Sequence, residues 1–518
     1  MNNAPTILRS LVTFAVIVPL AVFVGYLLSD PLDRSSFTYY GILALILISP
    51  ILLRYYHPLL ILSWNFNLIL FFLPGRLHLW LAMSAVGLGI LVLQRALGGV
   101  RHIISVPQVT WSLICLVGVV LFTAKMTGMG LKSMGSEIYG GRHFVYLLGA
   151  IMGYFALSGR RIPPERAGLY VGLFFLGGLT GFIGDLFPVA PGSLRFIFWF
   201  FPPSSYSNMQ NEITNMQGVR LSGALWTSLA VFSYMMAKYG IRGIFLSGKT
   251  WRLVVFFLML IYSLFSGFRS LVITFALMFA VQFYLEGMHR TKLLPIFAFI
   301  GVSMAVLVVP LSTHLPYSIQ RALSFLPLEV NRTVQQDAKQ SWEWRVKLWK
   351  LLLPQIPKYL LLGKGYAVSS MEFDLITGSD AAIRVSYNFS ENQYLALAGA
   401  YHNGPLSIVM TFGIWGCIAV VWFWIASMRV LYNNYCYGDP ALRTVNTFLM
   451  IAYGVNILTF ISIDYNMLTF CGLLGLSVSL NGGACRPPEL ARPTSKYPAF
   501  DDIRSHLQPT FRRPNIRA

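Results

Sequence analysis

Charge is what this chain has least of: 11% of its 518 residues are Asp, Glu, Lys or Arg, against 56% hydrophobic. Soluble domains carry about 25% charged residues, so the composition excludes a soluble globule and implies a polytopic membrane protein. Acids are scarcest, 19 against 39 basic residues. Asp185, Glu286 and Asp464 all stand at the ends of apolar runs, none in the middle of one. Ion-coupled carriers usually keep carboxylates or broken helices near the bilayer midplane, so this distribution argues against a carrier. Cysteine is sparse as well. Of the five, Cys115, Cys417 and Cys471 sit in apolar runs, Cys436 and Cys485 beside them, and none in the longest polar stretch. That placement implies no disulfide framework.

What is present is a series of apolar runs long enough to cross about 30 Å of hydrocarbon. They fall near 7–28, 37–53, 58–74, 78–94, 108–124, 143–158, 167–186, 218–238, 251–266, 270–286, 293–311, 403–428, 444–462 and 465–481. The expected fold is all-α, with about 12 to 14 transmembrane helices. The first run lacks a small-residue cleavage site after it and reads as a retained helix. Lys and Arg collect in alternate loops, RRIPPER (160–166), KYGIRGIFLSGKTWR (238–252), HRTK (289–292), Arg429 to Arg443 and the tail. Basic loops stay cytoplasmic, so fourteen spans would put both termini inside. The net charge of +20 is then a topology signal, and no nucleic-acid partner is expected. The chain divides into N-terminal membrane helices (1–160), central membrane helices (161–311), a large outer loop (312–402), C-terminal membrane helices (403–483) and a Pro- and Arg-rich cytoplasmic tail (484–518). The tail lacks an apolar helical face and reads as disordered, able to touch anionic lipid heads.

Three ionisable residues stand out on this topology, because charge at bilayer depth is costly and usually marks a cavity or a function. Arg220 opens the eighth run in GVRLSGALW, Arg269 the tenth in LFSGFRSLVITF, and His402 the twelfth in AYHNGPLSIVMTFGIWG. Helices alternate in direction, yet all three residues fall at outer ends. Arginines at helix ends can simply snorkel to the headgroups, the reading given to Arg34, Arg76 and Arg142. Arg220 and Arg269 differ in being flanked by Gly and Ser, which allow close helix approach and a recess. Two guanidinium forks can hold a diphosphate as it leaves, and an imidazole can take a hydroxyl proton near neutral pH. Together they suit glycosyl transfer from a lipid diphosphate to an acceptor hydroxyl.

The outer loop contains QSWEWRVKLWKLLLPQIPKYLLL (340–362). Trp342, Val346, Trp349 and Leu353 fall on one helical stripe, with Glu343, Lys347 and Lys350 mostly off it, which predicts an amphipathic helix lying on the outer leaflet. Tryptophan anchoring alone would explain the same stripe. Arg345 lies beside it. GKGY (363–366) reads as a flexible turn, and the polar stretch to Asn392, which includes Glu391, as a wall of the acceptor groove. Glu372 and Asp374 in MEFD could hold a divalent cation or be an ordinary solvated acidic pair.

From here the sequence resembles the bacterial O-antigen ligase and polymerase superfamily of membrane glycosyltransferases. The family's ligase signature is His, then Asn, Ser or Gln, nine residues, Gly, two residues, then Gly, Thr or Tyr. Here it reads His402, Asn403, GPLSIVMTF, Gly413, Ile414, Trp415, Gly416. The R-x-S-G segment looks like Arg220, Ser222 and Gly223. The S-R segment looks like Ser266 and Arg269 with Gly267 and Phe268 inserted. The R-x-x-x-W and G-x-G elements look like Arg345, Trp349, Gly363 and Gly365. The likeness is strongest over 218–430.

What the resemblance implies is a GT-C-like inner-membrane enzyme with one large periplasmic loop. It would transfer a glycan from undecaprenyl diphosphate to a lipid or glycan acceptor, with inversion and without metal or other cofactor. Arg220 and Arg269 would hold the diphosphate and His402 would serve the acceptor, with Arg345, Asn403 and Glu391 in support. Asn403 would be a cap or an orienting partner. Gly413 and Gly416, three apart, are explained by close helix packing. A polysaccharide transporter or flippase, or a noncatalytic subunit of an envelope assembly, remain the alternative functions.

Overall fold

The computed structural model describes residues 18–19, 21–22, 25, 34–73, 75–97, 104, 106–130, 139–203, 221–369, 372, 396, 399, 401–461 and 466–487. Most of the run 7–28, residues 204–220 with Arg220, most of 370–400 with Asp374 and Glu391, Asp464, and the tail beyond 487 lie outside the described residues.

Among the described residues the chain is all-α apart from one two-stranded antiparallel hairpin, β1 (Ile69–Leu70) and β2 (Leu77–His78), and a single antiparallel bridge between Tyr139 and Val368. The helices that matter below are α1 (Arg34–Ser63), α2 (Leu79–Ala96), α3 (Pro107–Thr127), α4 (Gly141–Ser158), α5 (Pro164–Asp185), α6 (Ser222–Phe245), α7 (Thr250–Leu264) and α8 (Arg269–Leu285). They continue with α9 (Leu293–Leu311), α10 (Tyr317–Leu323), α11 (Arg332–Leu352), α12 (Gly404–Tyr437), α13 (Arg443–Thr459) and α14 (Met467–Asn481). Among the described residues six stretches are long and apolar enough to cross a membrane: Leu79–Ala96, Pro107–Thr127, Pro164–Asp185, Leu293–His314, Gly404–Tyr437 and Pro440–Thr459. On α9, Phe299, Val302 and Val306 stand exposed; a helix apolar all round and unburied by protein needs lipid as its solvent.

The expected run 37–53 lies on the part of α1 before a break at Tyr55 (φ −117°, ψ 17°), and the run 58–74 begins on the part after it. Pro58 lacks an N–H and its ring crowds the carbonyl four residues back, which favours a kink in this stretch. Helix α1 ends at Ser63, and the run continues into the β1–β2 hairpin.

Two further helices are broken. In α6, Gly240 takes φ 61° and ψ −179°, and the restarted segment presents the N–H groups of Ile241 and Arg242 to the two oxygens of Glu286, each at 3.0 Å. Gln282 Nε2 donates to the same carboxylate at 2.7 Å. Asp185 does the equivalent at the start of α6, accepting from Gly223 N and Ala224 N at 3.0 Å each. These run-end acids are therefore helix caps, where a negative charge meets the positive end of a helix dipole. A third break, in α12, belongs to the site.

Candidate functional site

His402 immediately precedes α12. Asn403 is a strong N-cap type and Pro405 a favoured first-turn residue, and the Asn403 side-chain oxygen accepts from Leu406 N at 3.0 Å. Gly404 N donates to Phe460 O at 3.0 Å, tying this helix start to the end of α13. His402 itself has φ 46°, a left-handed conformation uncommon outside glycine and costly for a side-chain-bearing residue. Its ring meets the Trp344 ring edge to face, centroids 5.2 Å apart at 84°. Tyr401 beside it is buried with Leu348, Leu352, Leu406 and Met410, and its carbonyl accepts from Trp349 Nε1 at 3.1 Å. Burial pushes the Tyr401 phenol up, with Tyr366 and Tyr359 adding to the effect. It stays protonated at neutral pH and cannot act as a base.

Arg269 opens α8. Its Nη2 donates to Ala338 O at 3.5 Å on α11, and Arg321, Arg345 and Asp337 are its charged neighbours. Arg345 lies against Trp344, its guanidinium carbon 5.6 Å from the ring centroid. Helix α11 thus joins the two sites. Near Ala338 it meets Arg269, and six residues on, about 9 Å along the axis, Trp344 meets His402.

The contacts of α11 add a protein-packed face beside the expected stripe. On it Trp344, Leu348 and Leu352 pack on protein, with Leu348 and Leu352 fully buried against Tyr401, Leu406 and Met410. Of the expected stripe, Trp349 packs against the same cluster, whereas Trp342 and Leu353 are exposed. The sequence offers two apolar stripes roughly 130° apart at 100° per residue, and hydropathy does not say which one a partner covers. Arg345 falls between them.

The GKGY segment is not a free turn. In α12 the helix breaks at Gly413 (φ 65°, ψ −160°), and the backbone of 360–365 fills the gap. Lys364 N donates to Met410 O at 2.6 Å, Gly365 N to Thr411 O at 3.0 Å, and Ile414 N to Leu360 O at 2.7 Å. A Cβ at Gly413 would lie 2.6 Å from Leu360 O, and one at Gly363 would lie 2.1 Å from Thr411 O. Both glycines also have positive φ. The expected role of Gly413, close packing of a continuous helix, is replaced by a backbone one. The G-x-G element and the signature glycine are two halves of one junction.

Of the remaining expected residues, Arg220 and Glu391 lie outside the described residues. Glu372 forms a reciprocal cap with Ser369, Ser369 N donating to Glu372 Oε2 at 2.8 Å and Glu372 N to Ser369 Oγ at 3.2 Å. Among the described residues no group of three or more His, Cys, Asp or Glu could hold a metal. Sequence reading did not single out Trp344, Arg321 or Asp337. Trp344 carried a signal, its spacing of four from Leu348, but Arg321 and Asp337 sit in polar surroundings that mark neither.

No curated protein matches the chain. A family match falls on the site, spanning Arg269, the α11 bridge, the G-x-G junction, His402 and Gly413: over residues 254–421 the chain is similar to the O-antigen ligase family.

Proposed function

We propose that this protein transfers an oligo- or polysaccharide from undecaprenyl diphosphate to an acceptor hydroxyl, of lipid A core or of a growing glycan, on the periplasmic face of a bacterial inner membrane. The observation that carries the reading is the α11 bridge, which meets Arg269 near Ala338 and, six residues on, a conformationally strained histidine at Trp344, with Arg345 beside it. In the proposed reaction the imidazole of His402 takes the acceptor hydroxyl proton as the acceptor oxygen bonds to the anomeric carbon. The bond from that carbon to the diphosphate oxygen breaks with inversion. Arg269 and Arg345, with Arg220 as the resemblance implies, hold the departing negative charge.

The test is glycan transfer from a synthetic undecaprenyl-diphosphate oligosaccharide by purified protein, wild type beside His402→Ala. Loss of a general base predicts a fall of about 10²- to 10⁴-fold with unchanged folding. Normal product from the variant sinks the assignment. Product growing by whole repeat units identifies a polymerase, and single attachment to lipid A core a ligase.

A carrier is the second reading, and the breaks in α6 and α12 favour it, since carriers bind ions at interrupted helices. At the α12 break, however, the carbonyls of Met410 and Thr411 are occupied by backbone N–H groups of 364–365. They are not presented to an ion. Ion-driven glycan uptake by proteoliposomes, with no transfer product, would select the carrier.

A further inference from the structure

We infer that Arg321 and Asp337 form a positioning pair that sets the Arg269 guanidinium toward the donor diphosphate, an inference that rests on the transfer reading above. Arg321 is 7% exposed on the short helix α10. Its Nε contacts Asp337 Oδ2 at 2.5 Å, and its Nη1 donates to Gly267 O at 3.0 Å. Gly267 has φ 68° and is the pivot of the Ser-Gly-Phe-Arg turn that delivers Arg269. Tyr317 OH donates to the same Asp337 oxygen at 2.8 Å. From the other side, Arg269 Nη2 reaches the carbonyl of Ala338, the residue after Asp337.

Both the backbone that launches Arg269 and the end of its side chain are therefore referred to one point on α11. A planar fork is what lets one side chain grip a carboxylate and a carbonyl together, which a lysine cannot reproduce. The pairing also divides the charges by role. Asp337 is engaged by Arg321 and Tyr317, so Arg269 keeps its positive charge directed at an incoming anion while its like-charged neighbour Arg321 is held in place. The two residues inserted between Ser266 and Arg269, relative to the family's Ser-Arg segment, gain a physical role here. They form the turn whose carbonyl Arg321 holds.

The experiment uses full-length protein in lipid nanodiscs, wild type beside Asp337→Asn, Arg321→Ala and Arg321→Lys. Two readouts are taken, hydrogen exchange over 265–272 and steady-state kinetics with a synthetic undecaprenyl-diphosphate oligosaccharide. Expected are faster exchange confined to 265–272 and a donor kcat/KM lower by about 100-fold in Asp337→Asn and Arg321→Ala, with the acceptor KM unchanged. Arg321→Lys falls between these and wild type, and keeps the test readable if the alanine variant does not fold. Unchanged exchange at 265–272 overturns the inference whatever the activity. So does faster exchange with unchanged donor kinetics, or equal loss on the donor and acceptor sides. Faster exchange in a protein whose wild type transfers no glycan supports the positioning and sinks the transfer reading instead.

Discussion

At residue scale the clearest case is Gly413, whose φ of 65° lets α12 break and accept the 360–365 backbone. Alanine there must hold a left-handed conformation and place its Cβ 2.6 Å from Leu360 O. Gly413→Ala is expected to cost roughly 1–3 kcal/mol, read as a lower Tm in detergent. The signature spacing made this position legible, but not its reason, because close packing and positive φ both select glycine. His402 differs: its type and its place at a helix mouth could be read directly, whereas its left-handed backbone and its Trp344 contact depend on residues nearly sixty positions earlier.

At the scale of elements, polar groups decide where helices stop and restart. Glu286 receives both N–H groups of the restarted α6 and also Gln282. Glu286→Ala leaves these donors without their carboxylate and is expected to cost about 1.5–3 kcal/mol, the range for a hydrogen bond to a charged group. Thermal unfolding beside Glu286→Gln checks it, with the glutamine variant milder. Helix α11 supplies a contrast between faces. Leu348→Ala removes a fully buried side chain and is expected to cost about 2–5 kcal/mol and to loosen Trp344 against His402, lowering both Tm and transfer. Trp342→Ala removes an exposed ring and is expected to leave Tm unchanged. The reverse ranking would sink the assignment of the Leu348 face as the protein-packed one. Hydropathy does not rank the two, because periodicity shows that a helix has an apolar face, and here there are two.

At the scale of the whole molecule, the composition and the long apolar stretches agree on a multi-pass membrane protein, similar over 254–421 to the O-antigen ligase family. Its charge economy bears on metal dependence. Glu372 is engaged with Ser369, and the described site offers arginines where a metal enzyme would offer carboxylates. Transfer is expected to persist in chelator. Abolition by chelator, restored by magnesium or manganese, would reverse that expectation.

The sequence by itself determined the membrane class, the positions of most helices, and the residue types at the mouth of α12, because burial in hydrocarbon constrains every residue of a span and leaves a legible pattern. Only the tertiary structure decided that G-x-G and Gly413 form one junction, that α11 turns its Leu348 face inward, and that Arg321 and Asp337 meet the turn before Arg269. Each of these depends on a partner far along the chain. Hydropathy and spacing are local quantities, and they carry no information about which distant backbone or side chain supplies the other half of a contact.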